Sequence, residues 1–326
     1  MRHAPIPRTL LSVLALSALA ACGGGGTSGD DEVLSTDTAT GYSANATLAA
    51  NDATTAFDTA VLAAQSVVAA QAAAASGHET AQGVSASAVA DVTVSCPGGG
   101  SALLGITGGT ASSVLNGQLD TGEVYTLAYT DCRGALGAAA VNGSLSMTVL
   151  QADATTLSIA STANALSVAL PRGSVTLDGS TARSVSSTSD GNGTTALASH
   201  FTSPSLSLTT HFNARTSVFT LSAADITRQA TLLNGVLQGS SIEGTHTLSA
   251  TLPNGAFSYT VATQGSASYS ATGLPVAGGW TITLPHARVG IAVADGFATI
   301  SVDQGKDGTI DRSVTVPVSR LASDAG

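Results

Sequence analysis

Charged side chains are scarce in this 326-residue chain: Asp, Glu, Lys and Arg together make up 10% of it. Lys306 is the only lysine, and 11 Lys and Arg stand against 21 Asp and Glu. A polyanion-binding surface needs clustered cations to displace counterions from phosphates, so the composition argues against nucleic acid as a partner. Aromatic residues are only 4%. A transmembrane β-barrel carries girdles of Tyr, Trp and Phe at both membrane interfaces, and this chain has too few to build them. Long apolar runs are missing too. The run Leu10–Ala21 is short, whereas a spanning helix needs about 20 apolar residues. No His-Glu-x-x-His pair, Gly-x-Ser-x-Gly elbow or phosphate-cradling glycine loop between strand and helix is present, so the common signatures of zinc hydrolases, α/β-hydrolases and nucleotide enzymes are lacking.

Cysteine is rare, with three in all: Cys22, Cys96 and Cys132. No Cys-x-x-Cys pair occurs, which disfavours a redox or zinc site. Cys96 and Cys132 form an even pair that suits a disulfide in an oxidising compartment. Ser, Thr, Gly and Ala dominate what remains, and 43% of the residues are apolar. That is enough to build a core, although much of it is alanine, so the core is expected to be thin.

The first 21 residues read as a secretory signal: Arg2 and Arg8, then an apolar stretch, then small residues leading into a cysteine. The four residues Leu19-Ala20-Ala21-Cys22 resemble the lipobox of bacterial lipoproteins. The resemblance implies lipidation at Cys22, which becomes the mature N-terminus, and Gly23 after it implies the outer membrane. Several acyl chains anchor stably where one alone is marginal. Without residues 1–21 the chain loses two arginines and its net charge falls to −12. Residues 22–43, opening Cys-Gly-Gly-Gly-Gly-Thr-Ser-Gly, read as a flexible tether. Residues 44–78 read as an alanine-rich helix, with Phe57, Val61, Ala64 and Val68 on one stripe and Ser76-Gly77 as a stop.

From about residue 86 to 320 the apolar period becomes two. Leu145, Met147 and Val149 alternate with Ser and Thr, as do Leu166/Val168/Leu170, Val175/Leu177, Leu206/Leu208, Phe257/Tyr259/Val261 and Trp280/Ile282/Leu284. This pattern predicts antiparallel strands with one buried and one wet face. Asn142-Gly143, Asp178-Gly179, Asp190-Gly191-Asn192-Gly193, Asn234-Gly235, Asn254-Gly255, Asp295-Gly296 and Asp307-Gly308 read as hairpin turns. The expected fold is mainly β: a large curved or U-shaped antiparallel meander of about 15–18 strands, sandwich-like or an open barrel. Residues 321–326 read as a tail.

Asp303-Gln304-Gly305-Lys306-Asp307-Gly308-Thr309-Ile310-Asp311 matches an EF-type loop at positions 1, 5, 6, 8 and 9. Gly305 and Val314 stand where positions 3 and 12 need oxygen ligands, and Lys306 lies inside. A hairpin turn is the favoured reading, with calcium at Asp303, Asp307 and Asp311 as the weaker one. Pro275-x-x-Gly278, a strand pair, this turn and a last strand resemble the ends of uncharacterised proteobacterial lipoproteins and secreted β proteins. The resemblance covers about 50 residues and implies shared β architecture without an activity.

His200, His211 and His246 fall in strands among Ser and Thr, and the expectation is that they face solvent; His78 and His286 complete the set in the mature chain. Three functions are consistent with these features. The first is a non-enzymatic envelope protein that binds or carries an apolar ligand. The second is a structural or surface-interaction protein that meets another envelope protein. The third, which no motif favours, is a hydrolase or metal-binding enzyme.

Overall fold

The computed structural model describes residues 33–43, 92–108, 119–134 and 139–324. The signal segment, Cys22 and the 44–78 helix lie outside them. The fold is one antiparallel sheet of fifteen strands. These are β1 (Val92–Ser95), β2 (Ser101–Thr107), β3 (Val124–Arg133), β4 (Ala140–Ala152), β5 (Thr156–Leu170), β6 (Gly173–Ser189), β7 (Thr194–Phe212) and β8 (Arg215–Leu233). They continue as β9 (Val236–Leu252), β10 (Gly255–Thr263), β11 (Ala267–Ser270), β12 (Pro275–Thr283), β13 (Arg288–Ala294), β14 (Phe297–Asp303) and β15 (Arg312–Pro317). Neighbours in sequence are neighbours in the sheet throughout, except that β12 pairs with β10 and the short β11 pairs with both β9 and β12. The meander expected from the period-two pattern is therefore observed. Two short helices complete the described structure: α1 over residues 36–43 and α2 (Val318–Asp324). No described helix is long and apolar enough to cross a membrane.

The chain divides into two compact units. The first comprises the described residues within 61–186 and 202–220, the second those within 1–60, 187–201 and 221–326. In the second unit the core is dense. Val261, Ile282, Val289 and Val302 form one cross-strand row from β10 to β14, and Trp280, Ile291 and Ile300 form the next. All seven are buried. The opposite face is a hydroxyl ladder, with Thr247 bonded to Thr260 and Thr299 to Thr315. In the first unit the buried apolar cluster is small: Ile106, Tyr125 and Val149, bordered by half-buried Leu104, Leu119, Met147 and Ala152.

Five of the seven Asn-Gly and Asp-Gly signals lie at or beside strand connections, among them Asn234-Gly235 and Asp295-Gly296, whose paired positive φ angles suit a type I′ turn. The other two correct the sequence reading. Asn142-Gly143 lies inside β4 and Asp178-Gly179 inside β6. Each sits opposite a β-bulge whose extra residue has positive φ, Asp131 in β3 and Ala165 in β5. Asn142 Oδ1 accepts the Asp131 N–H at 2.8 Å, and Asp178 Oδ1 accepts the Ala165 N–H at 2.7 Å. Both connections need Asx-Gly for the same reasons a turn does, a side-chain acceptor and a left-handed φ, so local sequence alone does not separate them. The bulges also restore the side-chain alternation. Ile159 and Ala163 are odd-numbered and Leu166 and Val168 even-numbered. The extra residue puts all four on one face, since Leu145 pairs with Ala163 and Val141 with Val168.

Three further expectations are corrected. Residues 36–43 are helical and packed, although 22–43 reads as a tether. Ser35 caps the helix, its Oγ accepting the Thr38 N–H at 3.1 Å. Ala39 is buried, and Tyr42 meets the Tyr259 ring edge-on at 5.4 Å. Composition hid the Ala39/Tyr42/Ser43 stripe among polar neighbours. The expected tail begins with Leu321, which is fully buried in the second unit's core. His246, expected on the solvent face, points inward beside Val261 on β10. Burial among apolar groups pushes its pKa down to about 4.

Candidate functional site

One face of the first unit is built by simple alternation. Ala102, Leu104 and Ile106 of β2 lie on it, then Tyr125, Leu127 and Tyr129 of β3, Leu145, Met147 and Val149 of β4, and Ile159 and Ala163 of β5. Directly paired residues share a face, so these rows form one apolar surface. The other face carries Thr126, Ser144, Ser146, Thr148, Ser158 and Thr162. Leu104, Leu127, Tyr129, Leu145, Met147, Val168, Val175 and Leu177 on the apolar side are only half-buried. In the second unit the rows through Val261 and Trp280 are fully buried, with Leu248, Phe257 and Leu284 half-buried at their margin.

Polar groups interrupt this face: Ser161 and Thr181 continue the row of Tyr125 and Met147, and the next row carries two charged groups. Glu123 precedes β3 and sits opposite Val149, with the Val149 N–H donating to the Glu123 carbonyl at 2.8 Å. Val149 pairs with Ile159, and Ile159 with Arg183 on β6. The row thus reads carboxylate, Val, Ile, guanidinium. Glu123 is 0% exposed and Arg183 4%. Three strand spacings separate their backbones by roughly 14 Å.

Glu123 is held from its own strand. Tyr125 Oη donates to Glu123 Oε2 at 2.5 Å, and the Asp120 N–H donates to the same oxygen at 2.9 Å. Residues 120–123 form a tight turn, closed by the Glu123 N–H on the Asp120 carbonyl, and the positive φ of Gly122 permits it. Glu123 Oε1 is buried and has no hydrogen-bond partner. Burial pushes the Tyr125 hydroxyl above its usual range; its bond to Glu123 and the charges of Glu123 and Asp120 add to this. Tyr125 therefore stays a donor throughout the ordinary pH range. The period-two pattern locates Tyr125, but Glu123 lies just before the alternating run, and nothing in its flanks marks it as buried.

No protein family, curated protein or solved structure matches this chain.

The residues singled out from sequence distribute as follows. Cys96 and Cys132 are bonded, with Cα atoms 5.4 Å apart. The bridge ties the loop between β1 and β2 to β3, where Gly98 and Gly99 also exchange backbone hydrogen bonds with Arg133. Asp303 is buried at the end of β14 and uses both carboxylate oxygens on the turn, accepting the Asp307 and Gly308 N–H groups at 3.1 and 3.0 Å. Asp311 accepts the Gln304 N–H, and Asp307 the Thr309 N–H. Lys306 leaves the loop to donate to the Leu284 and Pro285 carbonyls. The geometry is that of a self-capped hairpin loop, and no group of three metal-ligating side chains forms among the described residues. His200 pairs with Asp225 at 2.7 Å on an exposed face. His211 Nδ1 and the Thr216 hydroxyl share a hydrogen bond at 2.9 Å. These histidines do not converge with the buried His246.

Proposed function

We propose that this chain is a lipid-anchored outer-membrane protein, held through Cys22, whose first unit is a non-enzymatic module that binds or carries an apolar ligand. The contrast between the two units supports this reading. The second unit buries the rows through Val261 and Trp280 completely, whereas in the first Leu104, Leu127, Leu145, Met147 and Val168 are half-buried, and the carboxylate of Glu123 is buried on the same face. Ligand sites combine a mostly apolar lining with a few placed polar groups, and this face has that make-up. An alternative reading, a surface-interaction protein that meets another envelope component, draws on the packed second unit and its Thr ladder.

Native mass spectrometry of protein purified from the periplasm without detergent separates the two. A reproducible mass excess on a Cys22→Ser variant supports the carrier reading, and a clean apo mass supports the interaction reading. The same variant tests the anchor: it is expected in the soluble fraction, and continued membrane association would overturn lipidation at Cys22.

A further inference from the structure

We infer that Glu123 is the polar anchor of the first unit's ligand site and that it selects an amphiphile with an ammonium head over one with a carboxylate head. The inference rests on the carrier reading above and names the chemistry of its ligand.

The argument starts from the unequal use of the two carboxylate oxygens. Oε2 receives two donors, Tyr125 Oη and the Asp120 N–H, and Oε1 receives none. A buried acceptor without a donor costs about 1–3 kcal/mol, and more when charged, so a ligand that brings a donor to Oε1 recovers that cost as affinity. Alternation along β3 places Glu123 on the apolar side, because its carboxylate bonds the hydroxyl of Tyr125 two residues on. Beside it, the Ile106, Tyr125 and Val149 cluster is rimmed by Leu104, Leu119, Met147 and Ala152, all half-buried. An alkyl chain can lie on this rim with its head at Oε1. A carboxylate head would set two anions together in a poorly solvated place. An ammonium head forms a charge-assisted bond there. Tyr125 and the Asp120 amide already fix the carboxylate, so the ligand does not have to order it.

The test compares dodecylamine, dodecanol and dodecanoic acid, which share one tail length, by calorimetric titration below their aggregation concentrations. The intact protein is expected to bind the amine tightest and the acid weakest, with the amine ahead of the acid by about tenfold or more, the worth of one charge-assisted hydrogen bond. Glu123→Gln is expected to erase that preference while alcohol binding stays within about threefold, since the neutral head does not use the charge. Glu123→Gln is also expected to keep a cooperative urea-unfolding transition, which guards against a fold defect in that variant. Binding of all three probes with equal affinity, or a preference untouched by Glu123→Gln, overturns the assignment of Glu123 and leaves the carrier reading standing. Failure of the intact protein to bind any of the three overturns both.

Discussion

At the scale of single residues, glycine does its work inside strands as well as between them. A Cβ built on Gly179 would lie 2.2 Å from the Ser205 carbonyl oxygen, and Gly179 has φ +125°. Gly143 is in the same position against the Ala165 carbonyl, again at 2.2 Å. Backbone cannot yield as a flexible side chain does, so Gly179→Ala combines a steric conflict with a disfavoured φ. We expect it to cost about 2–4 kcal/mol, read as a lower midpoint in urea unfolding. Asp178→Ala removes only the acceptor for the exposed Ala165 N–H, and a loss of about 1 kcal/mol is expected. Equal effects from the two would show that the carboxylate, rather than the glycine, sets the bulge. The sequence displayed both residues, but not their role, because Asx-Gly serves turns and bulges by the same conformational argument. Glu123 was less legible still. Its burial depends on the pairing of Val149 with residues on either side, and that is a property of register.

Elements were legible wherever burial on one face and water on the other imposed alternation. β4, β10 and β12 follow directly from Leu145/Met147/Val149, Phe257/Tyr259/Val261 and Trp280/Ile282. The turns Asn234-Gly235 and Asp295-Gly296 separate strands where expected. Helix α1 was illegible, because a two-turn helix buries too few residues to leave a periodic signal. Its stability comes from its contacts: Ala39 and Tyr42 on the core, the Leu34 N–H on Gln304 Oε1 at 2.9 Å, and Arg312 on the Leu34 carbonyl at 3.0 Å. An isolated helix of this length is unstable in water. Tyr42→Ala removes the ring against Tyr259, and we expect a loss of about 2–3 kcal/mol. The substitution should also increase hydrogen exchange at residues 38–43. Unchanged exchange there would mean that the ring contact does not hold the helix.

At the scale of the whole molecule, stability should depend on acid through His246. Its pKa is about 4 in the folded protein and about 6.5 in an unfolded chain. Between these values the unfolded state binds a proton that the folded state refuses, so stability rises with pH across this window and falls on acidification. Full stabilisation is present above pH 6.5 and is lost toward pH 4, a total of about 3 kcal/mol. Unfolding midpoints measured from pH 7 to 4 should show this slope, and His246→Leu should flatten it. An equal slope in the variant would place the acid sensitivity elsewhere. The composition already implied a low-charge molecule in which few groups titrate; the register of β9 against β10 is what turns one histidine inward.

The placement of α1 bears on the order in which the molecule assembles. Strands of a meander find partners as soon as their neighbour in sequence exists, so such a sheet can grow progressively as a chain emerges from its amino end. Residues 34–42 are made early, yet their partners are Tyr259, Gln304 and Arg312, up to 278 residues later. The opening segment therefore stays without its docking surface until β14 and β15 have formed. Its docking waits for the last described strands: a product truncated before β14 would keep most of the meander but lack the Gln304 and Arg312 contacts that hold Leu34 beside α1.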